Sequence, residues 1–314
     1  MTPPATLSLL IPAFNASAYL PRLLKSAHAQ TQPFDQIWVY DDGSTDDTVE
    51  VARKHGANVL EGAVNKGCSV GKNALARHVA TDWMHFHDAD DELMPNFVEL
   101  ARKWIRRDQF DVVLFDYEWR DEATNDLRLI RRFDPEGAAR DPRSYAIREQ
   151  INPFCGLYRR SAYLQAGGCD EDPTVLYNED VAFHIRLAFA GLTFAVESEV
   201  SIVNYWRENS MSAANRLRCV QAHYHVLRKT LDLNGASAYR KEIGAKLWAV
   251  AGLLASLRDW AYADEAVNLA ARLAAPSPQA GSAWFRALAK VAPRTALRTR
   301  EIAIRALRPE SRAT

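Results

Sequence analysis

Cysteine is scarce in this chain. Four residues in 314, at positions 68, 155, 169 and 219, show no Cys-x-x-Cys spacing. That scatter argues against a zinc site or a disulfide framework and suits a reducing cytoplasm. Net charge is absent too, with 39 Lys and Arg against 39 Asp and Glu. No global field draws in nucleic acid, and none is expected as a partner. The N-terminus has no basic region ahead of a long apolar stretch, so no signal peptide is expected and the predicted location is cytoplasmic. The longest apolar run of the C-terminal half, Leu247 to Leu257, lies between Lys246 and Arg258 and is too short to span a bilayer.

What is present is an ordinary globular composition, 48% hydrophobic and 25% charged, in a chain long enough for two domains. One stretch stands out. The apolar Trp83-Met84-His85-Phe86 runs into His87-Asp88-Ala89-Asp90-Asp91, three carboxylates within four positions. Like charges so close repel one another, and a hard divalent cation is the usual compensation. Helix capping would account for Asp90 or Asp91 but not for the whole cluster. His85 and His87 alternate with apolar residues on a strand, which favours packing over metal ligation.

Apolar runs alternate with helical spacings through the first ninety residues. Leu7 to Ile11 reads as a buried parallel strand, followed by a helix with Leu20, Leu23, Leu24 and Ala27 on one face. Ile37 to Tyr40, Asn58 to Leu60 and Trp83 to Phe86 are three more strands, with helices over Thr48 to His55 and Val70 to Ala80. The pattern predicts an α/β fold with a parallel sheet. Pro12 to Asn15, Asp41 to Asp46 and Asp88 to Asp91 all follow strands, so they should meet on the sheet edge where such folds bind ligands. Further on, a helix is expected over Pro95 to Arg106 and a strand over Asp111 to Tyr117. A polar hairpin should turn near Thr124-Asn125-Asp126. Glu179-Asp180 precedes a helix from Val181 to Ala190, and Val200 to Tyr205 is a last strand. From about residue 216 the pattern becomes Ala/Leu-rich helices, with a Pro276-Ser277-Pro278 linker and a break at Pro293. The expected division is 1–215 and 216–314, the second part all-α.

Five motifs occur in a telling order. They are Leu10 to Asn15, Asp41-Asp42-Gly43-Ser44-Thr45-Asp46, Gly71-Lys72-Asn73, Asp88-Ala89-Asp90-Asp91, and Glu179-Asp180. In that order they resemble the family 2 inverting glycosyltransferases of GT-A fold, over roughly Leu7 to Ser212. The resemblance implies a Rossmann-like, mostly parallel sheet flanked by helices, a nucleotide-sugar donor (most often UDP-linked), and Mn²⁺ or Mg²⁺. It implies that Pro12, Phe14, Asn15 and Asp42 line the donor pocket and that Asp88 contacts the ribose. Asp90 would hold the metal, and Asp180 would be the general base. Lys72 stands where the family often has Arg and implies a contact to base or phosphate. Glu179, Trp206 and Arg207 are candidates for acceptor or lid contacts. The family's late motif usually reads Tyr-Arg, sometimes His, then Ser-x-Ser or Ser-x-Thr. Here it reads Tyr205-Trp206-Arg207 through Ser210-Met211-Ser212, without a His.

The expected activity is inverting transfer of one sugar to a bacterial glycan or lipid-linked saccharide. A nucleotidyl-sugar transferase would want a Gly-rich phosphate loop near the N-terminus, which Pro12 to Asn15 is not. A non-catalytic nucleotide-sugar sensor is the remaining alternative. The last 34 residues hold eight Lys or Arg against two Glu, mixed with Trp284, Phe285, Leu288 and Ile302. That mixture fits either a solvated helix face or a peripheral contact with an anionic membrane.

Overall fold

The computed structural model describes residues 3–208, 214–273, 278 and 281–307. Leu7–Ala13 (β1) is buried along almost its whole length. It pairs in parallel with Gln36–Asp41 (β2) on one side and Trp83–Phe86 (β4) on the other, and β2 pairs in parallel with Asn58–Glu61 (β3). Leu20–His28 (α1), Thr48–Lys54 (α2) and Cys68–His78 (α3) make the crossovers. In α1 the predicted stripe of Leu20, Leu23, Leu24 and Ala27 is the buried face. A parallel α/β half emerges as expected, with its strand ends aligned.

The sheet then becomes mixed. Glu92–Leu93 (β5) and Phe97–Arg107 (α4) lead to the hairpin of Val112–Asp121 (β6) and Leu127–Arg131 (β7), which turns through Asn125 at φ 61°. Two short helices, Pro135–Arg140 (α5) and Pro142–Arg148 (α6), precede Gly156–Arg159 (β8), then Arg160–Gln165 (α7), Glu179–Phe189 (α8) and Phe194–Trp206 (β9). The described strands form one sheet in the order β3-β2-β1-β4-β8-β6-β9-β5, with β7 beside β6.

Two strands depart from the sequence expectation. β8 runs antiparallel between β4 and β6 and was not visible in the sequence. Four residues are too few to display a period. β9 is longer than Val200 to Tyr205, because Glu197-Ser198-Glu199 in its middle hides it. The pairing of β6 with β9 shifts register between Phe115 and Tyr117, opposite that polar stretch.

The helical tail comprises Arg216–Thr230 (α9), Arg240–Ser256 (α10), Trp260–Arg272 (α11), Ala283–Val291 (α12) and Pro293–Leu307 (α13). The last two part at Pro293 as the sequence predicts. α9 lies against α8 and α10 against α6, and buried apolar side chains connect from Leu7 through to Leu297. Lys229 of α9 ties Asp172, at 2.8 Å, and Asp170 to the tail. No helix among the described residues is long and apolar enough to cross a membrane.

Candidate active site

Register brings the first polar loops to one rim. Pro12 stands level with Tyr40 and Ala13 with Asp41. The Asp42 N–H donates to the Ala13 carbonyl at 2.8 Å and the His87 N–H to the Leu10 carbonyl at 3.0 Å. The chain therefore leaves β1, β2 and β4 side by side at their carboxyl ends.

The loops are locked by their own side chains. The buried Asp42 carboxylate accepts from the N–H groups of Lys66 at 2.9 Å and Gly67 at 2.7 Å. Gly43, at φ +74°, sits so close to the Val64 backbone that a Cβ would lie 2.9 Å from it, so only glycine fits. Asn15 accepts from the Thr45 N–H at 2.9 Å, joining the first loop to the second. At Gly71 an added Cβ would stand 2.8 Å from the Tyr40 ring and 3.4 Å from Pro12, so α3 packs directly on the strand ends. Phe14 remains 47% exposed beside them, an aromatic face open to a planar ligand.

The acidic turn after β4 divides its carboxylates by task. Asp91 is fully buried and accepts from the Asn204 amide at 2.7 Å and the Tyr205 N–H at 2.9 Å, so it braces the end of β9. Burial and the nearby Asp88 push its carboxyl up to about 8, against the pull of those donors. Asp88 and Asp90 stay partly exposed. The Asp90 carboxylate is ion-paired with Arg207, whose guanidinium also reaches Glu122 at 3.4 Å and covers the Tyr19 ring at 4.3 Å. Arg22 donates to the Asp90 carbonyl and to Glu122 at 3.1 Å, and lies 3.9 Å over the Tyr205 ring. Trp206 is stacked under Arg128 at 3.5 Å.

No three His, Cys, Asp or Glu side chains gather as a metal cage among the described residues. The donor set instead fits a cation shared with a phosphate ligand. Asp90 already attracts a guanidinium to its open carboxylate, and one carboxylate plus phosphate oxygens is a common magnesium arrangement. His85 and His87 are not part of such a set. His85 Nδ1 faces the Gly156 carbonyl at 2.8 Å and His85 Nε2 faces His87 Nδ1 at 2.9 Å, both rings being fully buried. Since the carbonyl can only accept, the protons are assigned to the Nδ1 atom of each ring. Burial holds both well below the usual histidine range, His85 at about 3.

The second half of the site comes from the head of α8. Asn178 precedes it without capping through its side chain, and Asn178 Oδ1 and Glu179 Oε2 are buried with no partner among the described residues. Capping alone is therefore a poor account of this acidic pair. Burial pushes the Asp180 carboxyl up to about 7, with Glu179 and Asp88 adding to the rise and Lys72 opposing it. Lys72 is 2% exposed, and its Nζ donates to Cys68 Sγ at 3.0 Å. Burial disfavours its charge, but the Cys68 sulfur and the Asp180 and Asp88 carboxylates around it outweigh that and hold its pKa well above the ordinary value. Lys72, expected to contact base or phosphate, is thus buried beside Cys68, within electrostatic reach of Asp180 and Asp88. Burial pushes the Cys68 thiol up to about 12, which keeps it protonated and inert.

The rim, the acidic turn and α8 thus share one electrostatic neighbourhood. Ser210, Met211 and Ser212 lie outside the described residues. Sequence reasoning missed Arg22, Glu122 and Tyr19 around Asp90, which carry no motif because they come from the start of α1 and the turn after β6, far from Asp90 in the chain. It also missed Tyr177, a non-glycine residue at φ 73° just before the acidic pair.

Comparison with known proteins matches this geometry to a class. Residues 8–166 fit the model of glycosyl transferase family 2. The chain belongs to glycosyltransferase family 2. It is 36% identical over 105 residues to the chondroitin synthase of Escherichia coli, a match covering 32% of this chain and 15% of that protein. It is 32% identical over 117 residues to the uncharacterized glycosyltransferase YibD of Escherichia coli K12, covering 36% and 34%. The chain therefore spans about a third or less of the length of these relatives. Two solved structures share the GT-A fold over nearly the whole chain. S. aureus TarS residues 1–349 with UDP-GlcNAc has a TM-score of 0.69 at 17% identity, covering 96% of this chain and 92% of that one. The mannosyltransferase PcManGT of Pyrobaculum calidifontis with GDP-Man and Mn²⁺ has a TM-score of 0.60 at 19% identity, covering 98% and 88%.

Proposed function

We propose that this chain transfers a sugar, with inversion, from a UDP-linked donor to a hydroxyl of a bacterial glycan or lipid-linked saccharide. The observation that carries this is a buried ammonium, Lys72, on α3 where that helix packs on the strand ends of β1 and β2, within electrostatic reach of both Asp88 and Asp180. Phe14 offers a stacking face to the nucleobase beside Pro12, while Asn15 and Asp42 hold the loops that shape its pocket. Asp88 takes the ribose. Asp90 would hold Mn²⁺ or Mg²⁺, and a cation there would neutralise the leaving diphosphate. Asp180 removes the acceptor hydroxyl proton as that oxygen bonds to the anomeric carbon and the bond from that carbon to the diphosphate oxygen breaks. The proton ends on Asp180 and the bond electrons on the diphosphate. A base with a pKa near neutrality suits this work, provided something keeps it ionised, and Lys72 supplies that charge. Glu179, Trp206 and Arg207 flank the acceptor side.

On this view residues 1–215 hold donor and chemistry, and 216–314 serve the acceptor. The tail's last helices expose Trp284, Val291, Ile302 and Leu307. Arg294 and Arg298 pair with Asp264, and Arg305 pairs with Glu301. Arg300 lies over the Phe285 ring at 5.6 Å, and Arg286 and Lys290, without an ion pair among the described residues, would meet an anionic membrane face beside Trp284, a cytoplasmic peripheral contact. A thermal-shift panel of nucleotide sugars with Mn²⁺ tests the donor assignment, because a ligand of the folded state raises its stability. UDP-sugars should raise the melting temperature most. A flat panel would reject the proposal.

A further inference from the structure

A cavity of about 180 Å³ opens between the segment that leads into α8 and the helices α9 and α11. Its walls come from both parts of the chain. Pro173 and Tyr177 belong to the segment that ends at Glu179-Asp180; Arg218, Gln221 and His225 lie on α9, and Tyr262 lies on α11. At the share of volume one water takes in the liquid, the space holds about six waters, the scale of a single sugar ring.

Its chemistry is that of a saccharide site. Two tyrosines give flat faces for the C–H surface of a pyranose, and Arg218, Gln221 and His225 give planar hydrogen-bonding edges for hydroxyls. No acidic side chain lines it. Around it, Asp259 accepts from Gln221 at 2.7 Å, Asp170 and Asp172 are paired with Lys229, and Glu265 accepts from Tyr224. His225 Nε2 lies 3.2 Å from the Tyr262 hydroxyl, which sets both side chains. Arg218 lines the cavity, is exposed and forms no ion pair among the described residues.

The cavity also connects to the chemistry. Tyr177 is held at φ 73°, a conformation that a non-glycine residue rarely takes and that concentrates at working sites. It lines this cavity three positions before Asp180. The next residue along α9 from Arg218, Cys219, is within electrostatic reach of Glu179.

We propose that this cavity is an acceptor subsite that holds one sugar unit bearing an acidic group, with Arg218 on the acid and Tyr177 and Tyr262 on the ring. The assignment rests on the transferase reading above and adds to it the class of acceptor, an anionic saccharide. It gives the helical tail a direct part in choosing what is glycosylated.

The test is an NMR saturation-transfer titration of the full chain, with saturating UDP and Mg²⁺ filling the donor site. The probes are glucuronate, glucose 6-phosphate and glucose. Glucuronate or the sugar phosphate should bind at least about fivefold more tightly than glucose, as expected where a guanidinium meets an anion. R218A should weaken the anionic probe about tenfold, R218K should keep most of it, and Y262A should weaken all three. Whichever of glucuronate and glucose 6-phosphate binds more tightly tells whether the acid is a carboxylate or a phosphate. Melting curves of each variant guard against loss of fold. Anionic sugars that bind no better than glucose, or that bind R218A and Y262A as well as the natural chain, would overturn the subsite. UDP uptake is read in the same samples. A chain that takes up UDP yet fails these titrations loses the subsite alone, and one that takes up no UDP loses the donor assignment.

Discussion

The turn after β4 and the head of α8 both carry acidic pairs, but in opposite settings. Asp90 is partly exposed and already carries a guanidinium, Arg207. Asp180 is embedded among Glu179 and Asp88, with a single buried ammonium against it, and burial lifts its pKa to about 7. The first setting, an open carboxylate that already holds a positive group, suits a cation. The second leaves one poised to take a proton and suits a base. Two acidic motifs that look alike in sequence therefore differ in their surroundings, and the surroundings divide the labour.

Replacing Asp180 with Asn tests the second setting most severely. Transfer should fall by about 10²–10⁴-fold, the usual contribution of a positioned base, while UDP-sugar binding survives. Replacing Asp90 with Ala tests the first. Initial-rate assays over a Mn²⁺ range should show a loss of about 10²-fold or more, with metal dependence flattened.

The pH profile separates the two settings further. Asp180 must be ionised to act, so the transfer rate should climb through about pH 7 and then level off. Replacing Lys72 with Met removes the charge that opposes protonation, and should move that rise to higher pH. Stability should run the other way. The folded-state pKa of Asp180 lies above the ordinary carboxylate value of about 4, so its contribution to stability is full below about pH 4 and is lost as pH rises through about 7. Chemical denaturation across that window should show less of this loss in D180N.

Smaller effects test the edges. Removing Arg207 frees the Asp90 carboxylate, so the donor-free R207A chain should bind Mn²⁺ up to about fivefold more tightly, the scale of a partly exposed ion pair. The membrane contact should be weakest of all. Vesicle flotation on anionic lipid should drop when Trp284 and Val291 are both replaced with Ser, and equal flotation would remove that contact.

The parallel half of the fold was legible because its signals are local. Leu7 to Ile11 is a continuous buried run, and Leu20, Leu23, Leu24 and Ala27 mark one helix face. The convergence of Pro12, Asp42 and Asp88 followed from strand polarity alone. β8 was illegible because its place between β4 and β6 is a tertiary fact that four residues cannot signal. The site was legible where acids cluster in motifs and illegible where a lone side chain arrives from elsewhere. Arg22 looks like any helix surface arginine until β5 and β6 bring Asp90 and Glu122 to it. Lys72 reads as a ligand contact in sequence; that it is buried beside Cys68 is a consequence of how α3 packs and carries no local signal. Asp91 resembles Asp90 in sequence, and only the path of β9 assigns it to Asn204 and Tyr205.

The division of labour between the two acidic motifs is tested most directly by titrating UDP calorimetrically, with and without Mn²⁺, into the natural chain, D90N and D180N. Mn²⁺ should tighten UDP binding about tenfold or more in the natural chain and in D180N, and should have little effect in D90N. Equal metal dependence in D90N, or its loss in D180N alone, would contradict the assignment of cation to the β4 turn and of base to α8.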